Sequence, residues 1–166
     1  MPEREETTID IATVGDAVAI LGLIAQAPDA LLTVTALEIQ DWIKAGHSLV
    51  AKNSAGKVIG HQGLAFWPES GVTELRSAYV DPNYRRQGTN KSMKIKMMEI
   101  SQQQYPGVPI IGFTESASKS RGILVDLGFK ELPLDQVPDE LFSICTAPQC
   151  IKKTGKDCGC KVFIKK

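Results

Sequence analysis

The chain has 166 residues, 43% of them hydrophobic, which fits one compact α/β or α+β domain with an ordinary core and leaves little room for a second. Nineteen Lys and Arg balance nineteen Asp and Glu, so nonspecific binding of nucleic acid or an anionic membrane is excluded as the main role, although a local basic cluster can still hold a phosphate. The acidic, polar first six residues lack the plan of a secretory signal and no apolar run is long enough to cross a bilayer, so the expected location is cytoplasmic.

Residues 7–11 read as a first strand. Thr13-x-x-Asp16 is a capping-box-like start for a helix reaching about Ala27, with Ala17, Leu21 and Ile24 along one face, and Pro28 ends it. Thr35-x-x-Glu38 opens a second helix in which Ile39, Trp42 and Ile43 face inward and which Gly46 closes. Residues 47–52 and 57–66 form two strands around the polar turn Asn53-Ser54-Ala55-Gly56, and residues 72–80 continue the meander. A helix over residues 90–104 carries Met93, Met97 and Ile100 at helical spacing. Residues 109–114 make a short apolar strand suited to a buried central position. Ile123, Leu124 and Leu127 give the next helix its apolar face, and Gly128 ends it so that Phe129 can begin another strand. A short helix or turn at 135–142 and a last strand at 161–164 complete the order, with no internal repeat.

The stretch from Val72 to Met93 reads as strand, loop and helix start. Asp81-Pro82-Asn83 stops the strand, and Gly88 lets backbone amides turn inward just before the helix. A helix start of this kind, preceded by Arg85, Arg86 and Gln87 and followed by Thr89, Asn90 and Lys91, suits a pyrophosphate-like anion. The alternative is a solvated basic turn. Lys91, Lys94 and Lys96 in the first turns oppose the helix dipole by roughly a few tenths of a kcal/mol, which an anion would offset. For Lys94 and Lys96 a solvated lysine face accounts for the pattern equally well.

All four cysteines, Cys145, Cys150, Cys158 and Cys160, fall at the end of the chain. Their C-x4-C-x7-C-x-C pattern has the ligand count of a structural zinc site, although its spacing is irregular. The alternative is two buried thiols and two exposed ones.

The segment Arg85-Arg86-Gln87-Gly88-Thr89-Asn90 resembles the Q/R-x-x-G-x-G/A motif of the GNAT acetyltransferases, and Val80-Asp81-Pro82-x-Tyr84-Arg85 resembles that family's lead-in. The Leu127-Gly128-Phe129 ending and the order of elements are similar to the family over nearly the whole chain. Asn90 stands where the family usually has Gly or Ala. The resemblance implies a single-domain GNAT fold, a mixed central sheet flanked by helices, with acetyl-CoA as co-substrate. It implies that residues from Arg85 to Lys91 hold the pyrophosphate and that backbone amides near Ala78, Tyr79 and Val80 meet the pantetheine arm and the thioester oxygen. Glu74 falls at the general-base position of several members. The position of the family's leaving-group tyrosine is Leu124, with Ser118 and Ser120 nearby in sequence; a thiol can also leave as thiolate without an acid. Glu74-Leu75-Arg76-Ser77 further resembles the E-L-R-S of short amino-acid acetyltransferases of the N-acetylglutamate synthase type, which would make Arg76 the partner of a substrate carboxylate. Its alternative is a salt bridge across the sheet. His61, on a strand, ranks below Glu74 as a base, and His47 carries less information still.

The reading is an N-acetyltransferase moving the acetyl group of acetyl-CoA to the amine of a small molecule, glutamate among the candidates, with a homodimer left open. The alternatives are a non-catalytic acyl-CoA sensor or interaction module, which Asn90 and Leu124 favour, and a protein acetyltransferase.

Overall fold

Strand-forming runs between residues 48 and 80 build an antiparallel meander, and the later strands extend the sheet outward from its last strand. The computed structural model describes residues 6–27, 34–115, 120–137, 139–143 and 160–166. The elements are β1 (Thr8–Ile11), α1 (Ala17–Ile24), α2 (Ala36–Ala45), β2 (Ser48–Lys52), β3 (Val58–Trp67), β4 (Val72–Val80), α3 (Thr89–Gln104), β5 (Ile110–Glu115), α4 (Ser120–Asp126), β6 (Lys130–Leu132), α5 (Asp139–Ser143) and β7 (Cys160–Lys165). The described strands form one seven-stranded mixed sheet in the order β1-β2-β3-β4-β5-β7-β6. Its pairs are antiparallel except β4 with β5, the parallel pair whose crossover α3 supplies. None of the described helices is long and apolar enough to cross a membrane.

Helices cover both faces. Ile20 and Leu23 of α1 and Ile39, Trp42 and Ile43 of α2 pack on Val50, Val58 and Tyr79. On the opposite face Met93 and Met97 of α3 and Leu124 of α4 pack on Ile59, Leu64, Leu75, Val80 and Ile110. The capping box of α2 forms as its sequence predicts: Thr35 N–H donates to Glu38 Oε2 at 2.8 Å and Glu38 N–H to Thr35 Oγ1 at 3.2 Å. At α1 the corresponding bond, Thr13 N–H to Asp16 Oδ2 at 2.9 Å, encloses a 3-10 turn, and the α-helix runs only from Ala17 to Ile24. Its buried stripe centres on Ile20 and Leu23, with Ala17, Leu21 and Ile24 at its margin. The sequence AVAILGLI has no polar residue to fix a face, so periodicity alone did not choose between neighbouring stripes.

The β3–β4 ladder carries one irregularity. His61 pairs with Tyr79 but Gly63 pairs with Arg76, so Ser77 and Ala78 together oppose Gln62 in a β-bulge. Ser77 takes a left-handed φ of 54°, which costs about 1–2 kcal/mol in a non-glycine residue. Two buried side chains hold the bulge from its two faces. Gln62 Nε2 donates to the carbonyls of Arg76 at 3.1 Å and Gly63 at 2.8 Å, while Gln62 Oε1 accepts from Lys94 Nζ at 3.1 Å. From the α2 side His61 Nδ1 meets the Ser77 carbonyl at 3.0 Å and its Nε2 meets Ser48 Oγ at 3.0 Å. A carbonyl only accepts, so Nδ1 carries the proton and Nε2 accepts from the serine hydroxyl. Gly63 allows this packing, since a Cβ there would stand 2.8 Å from the Trp42 ring.

The three lysines of α3 therefore have three environments. Lys94 is buried, its ammonium pushed down to about 8 by desolvation, and it belongs to the bulge rather than to a solvated face or an anion site. Lys96 donates to the Ile9 carbonyl, and Lys91 lies 3.6 Å from Asp126 of α4.

Burial pushes the His61 imidazole down to about 4, against the Ser77 hydrogen bond, which raises it. The unfolded chain, with a histidine near 6.5, then binds more protons than the folded one between those values, so stability present above pH 6.5 is lost as pH falls toward 4. The expected loss is up to roughly 3 kcal/mol, read from urea midpoints between pH 7 and 4.5. His61→Gln should flatten that slope; an equally steep slope in the variant would assign the protons elsewhere.

Candidate active site

The β4–β5 pair is short. It includes Thr73 with Ile110 and Glu74 with Ile111, after which the two strands part. β4 continues to Val80 and β5 to Glu115, so a gap opens from Glu74 outward, with the bulge on its β4 wall. Backbone alternation orients that wall. Asp81 N–H donates to the Ile59 carbonyl at 2.8 Å and Tyr79 stands opposite His61, so the peptide groups of Val80 turn away from β3. Arg85 Nε, donating to the Val80 carbonyl at 2.9 Å, approaches from that same side. Tyr79 thus directs its amide to the ladder, whereas Val80 directs its own to the gap, and Ala78 is half-buried at the bulge.

Past Val80 the chain makes a tight turn before α3. Asp81 accepts from the Asn83 amide at 2.9 Å and from its side chain at 3.0 Å, and the amide holds this carboxyl below its usual range, with Lys57 adding to the effect. The Arg85 guanidinium lies over the Tyr79 ring, 5.3 Å from its centroid, which ties the loop to β4. Arg86 is exposed with φ 63°, and Gln87 is half-buried. Gly88 has φ 84°, and a Cβ added there would meet no atom within 4 Å, so open space lies against this backbone. Ser92 N–H to the Gly88 carbonyl, at 3.0 Å, is the first bond of the helix. The amides of Gly88, Thr89, Asn90 and Lys91 therefore have no intrahelical acceptor and concentrate positive potential at one spot. Such a cradle fits a phosphate group.

Glu74 stands where the strands part, in an interior strand rather than at an edge, and is 2% exposed. Its Oε2 accepts from Trp67 Nε1 at 2.9 Å and lies 3.8 Å from Arg76 Nη1. Arg76 is equally buried; its Nη2 is 3.8 Å from Glu38 Oε1, and its guanidinium lies over the rings of Trp42 and Trp67 at 6.0 and 5.8 Å. The ion pairs of Arg76 thus run along β4 and to the start of α2 rather than across the sheet. His61 is close by, but Ser48 and Ser77 occupy both its ring nitrogens, leaving no lone pair for a substrate proton.

Sequence reasoning missed Glu38, Trp67, Gln62 and Lys94. Glu38 was legible only as a cap, and the others depend on strand register and on how α3 lies across the sheet. Leu124 is buried in the core against Gly112, and Ser120 opens α4 half-buried. Ser118, Cys145, Cys150 and Cys158 lie outside the described residues; Cys160 is buried at the start of β7. Among the described residues no three or more His, Cys, Asp or Glu side chains converge as a metal site would.

Comparisons with known proteins agree with this architecture. No curated protein matches the sequence significantly. Among solved structures, N-acetylglutamate synthase from Neisseria gonorrhoeae, complexed with coenzyme A and N-acetyl-glutamate, superposes with a TM-score of 0.72 at 15% identity, covering 96% of this chain and 35% of that one. The chain thus spans about a third of that synthase. Rv2747 from Mycobacterium tuberculosis, in complex with CoA, gives 0.69 at 18% identity, covering 95% of this chain and 97% of that one. Diaminobutyrate acetyltransferase EctA from Paenibacillus lautus, in complex with its substrate L-2,4-diaminobutyric acid and coenzyme A, gives 0.66 at 16% identity, covering 96% and 94%. At such identities the likeness is one of fold. The sequence itself matches the model of the Acetyltransferase (GNAT) family over residues 19–129, more than half its length, and with the parted strands and the open helix start already in view this match identifies the chain as a member of the GNAT acetyltransferase family.

Proposed function

We propose that this acetyltransferase moves the acetyl group of acetyl-CoA to the amine of a small amino acid, glutamate being the first candidate. The observation that carries the reading is the buried carboxylate of Glu74 at the apex of the gap between β4 and β5. The open backbone at Gly88 and the amides of the α3 start would hold the pyrophosphate, with Arg86 and Lys91 adding charge at its margin. Acetyl-CoA, bound there, supplies the activated acyl carbon and a thiolate leaving group.

The remaining work falls to side chains and backbone of this chain. Glu74 accepts the proton of the acceptor ammonium, directly or through one water, and so leaves a neutral, nucleophilic amine. The Val80 amide donates to the thioester oxygen as negative charge develops on it, a stabilisation that grows from ground state to transition state. The bulge matters because it fixes where that amide points.

The acceptor class follows from charge on the α2 face. Glu38 and Glu74 offer anions to an ammonium group, and Arg76 offers a cation to a carboxylate. An amino-acid zwitterion matches both signs. Amino-acid substrates or products in the synthase and diaminobutyrate enzyme complexes support the same class. A second reading, an acyl-CoA sensor without turnover, is favoured by buried, apolar Leu124 at the family's acid position.

Calorimetric titration with acetyl-CoA and with CoA, followed by thiol release with a panel of amines, separates the readings. Micromolar binding with turnover is expected; binding without turnover on any amine selects the sensor. Glu74→Gln keeps an acceptor for Trp67 and should lower kcat at least 100-fold, roughly 3 kcal/mol, with CoA affinity unchanged. Unchanged turnover would remove Glu74 from the role of base. Gly88→Val should weaken CoA binding at least tenfold, because its side chain fills the cradle and a branched residue resists φ 84°. Amino acids should exceed the matching decarboxylated amines in kcat/KM by about tenfold or more, and Arg76→Lys should narrow that gap.

A further inference from the structure

On the α2 face of the sheet, β3 and β4 pair Gly63 with Arg76, Ala65 with Glu74 and Trp67 with Val72. Directly opposed residues share a face, so the two charged side chains lie opposite the two smallest residues of β3. That leaves Glu74 room to lean over Ala65 and reach Trp67, its diagonal neighbour, whose Nε1 donates to Glu74 Oε2 at 2.9 Å. The ring of the same tryptophan lies 5.8 Å from the Arg76 guanidinium, and Arg76 Nη1 is 3.8 Å from that same Oε2. One indole therefore meets both charged groups. It is itself held, because Trp67 packs on the cluster of Val72, Ile111, Val137, Leu141 and Val162.

We infer that Trp67 is a positioning residue for the transfer: its N–H fixes Glu74 so that Oε1 takes the proton of the acceptor ammonium, and its ring face seats Arg76 for the acceptor carboxylate. The inference rests on the reading of Glu74 as the base. An N–H donor and a cation at Oε2 make that oxygen the poorer site for a proton, so the ammonium proton passes to Oε1 and leaves a neutral amine. Indole only donates and does not titrate, so this bond persists while the carboxylate gains and loses its proton. A lysine in its place would bring a second cation beside Glu74 and repel the incoming ammonium. Glu74 is otherwise faced by Arg76 from its own strand and, beyond it, by Glu38 of α2 and by His61 of β3, whose imidazole burial pushes down to about 4. β5 and α5 present apolar Ile111 and Leu141.

The test compares Trp67→Phe, which keeps a ring face and loses the N–H, with Trp67→Leu, which loses both. The pH profile of kcat/KM for an amino-acid acceptor is read in each, beside Glu74→Gln, in which the acid limb should vanish. A hydrogen bond donated to a carboxylate favours its ionised form, so losing it should move the acid limb upward by about one pH unit in both Trp67 variants. Plateau kcat should fall about five- to tenfold, because Glu74 loses its fixed orientation. CoA affinity should be unchanged, which also shows that each variant is folded. The preference for amino acids over the matching decarboxylated amines should persist in Trp67→Phe and shrink about threefold or more in Trp67→Leu, where the guanidinium loses its ring. If the limb is absent from Glu74→Gln while Trp67→Phe keeps the wild-type limb and plateau, the positioning role is overturned and the base stands. A limb that survives in Glu74→Gln, or a wild type without turnover, would overturn both.

Discussion

The shape of the central β3–β4 ladder depends on one hydrogen-bonded device, the bulge at Ser77 and its two buried supports. A left-handed serine in a strand is unfavourable by itself. It persists because Gln62 grips the Arg76 carbonyl and His61 grips the Ser77 carbonyl, from opposite faces. Each grip is backed by a further buried group, Lys94 behind the glutamine and Ser48 behind the histidine. Removing any one would leave another buried polar group unpaired, which is the costly side of the hydrogen-bond balance.

The bulge sits just beyond the point where β4 leaves β5. Paired strands satisfy each other's amides, so a ladder in register has nothing to offer a ligand. Two strands that part, one of them kinked by an extra residue, present backbone groups that still need partners. The gap also needs walls that do not collapse into it. Tyr79, stacked under Arg85, gives the β4 side that rigidity. The same parting leaves Glu74 at the apex, in an interior strand, where solvent is largely excluded.

Charge follows a related division of labour. The α3 start concentrates positive potential from backbone amides, and the side chains nearby are only partly committed to it: Arg85 holds Val80 and Tyr79, and Lys91 faces Asp126. On the other face of the sheet the Arg76 guanidinium lies over two tryptophan rings and pairs with the carboxylates of Glu74 and Glu38. The helix-start amides and this group of opposed charges thus lie on different faces of the sheet.

Local sequence determined most of the elements and the open helix start at Gly88. Capping residues, helical spacing and turn glycines announce α2, α3, β4 and the Gly88 helix start, since each is fixed by interactions within a few residues. Even there, the all-apolar α1 left its buried stripe open. What only the tertiary structure decided were the roles that depend on partners far along the chain. Lys91, Lys94 and Lys96 look alike in sequence, yet one meets Asp126, one is buried under Gln62 and one binds the Ile9 carbonyl. Glu74 reads equally as surface or interior until strand order encloses it, and His61 gains Ser48 and Ser77 only through register. Strand register and helix placement are set by the packing of the whole core, and no short-range pattern encodes them.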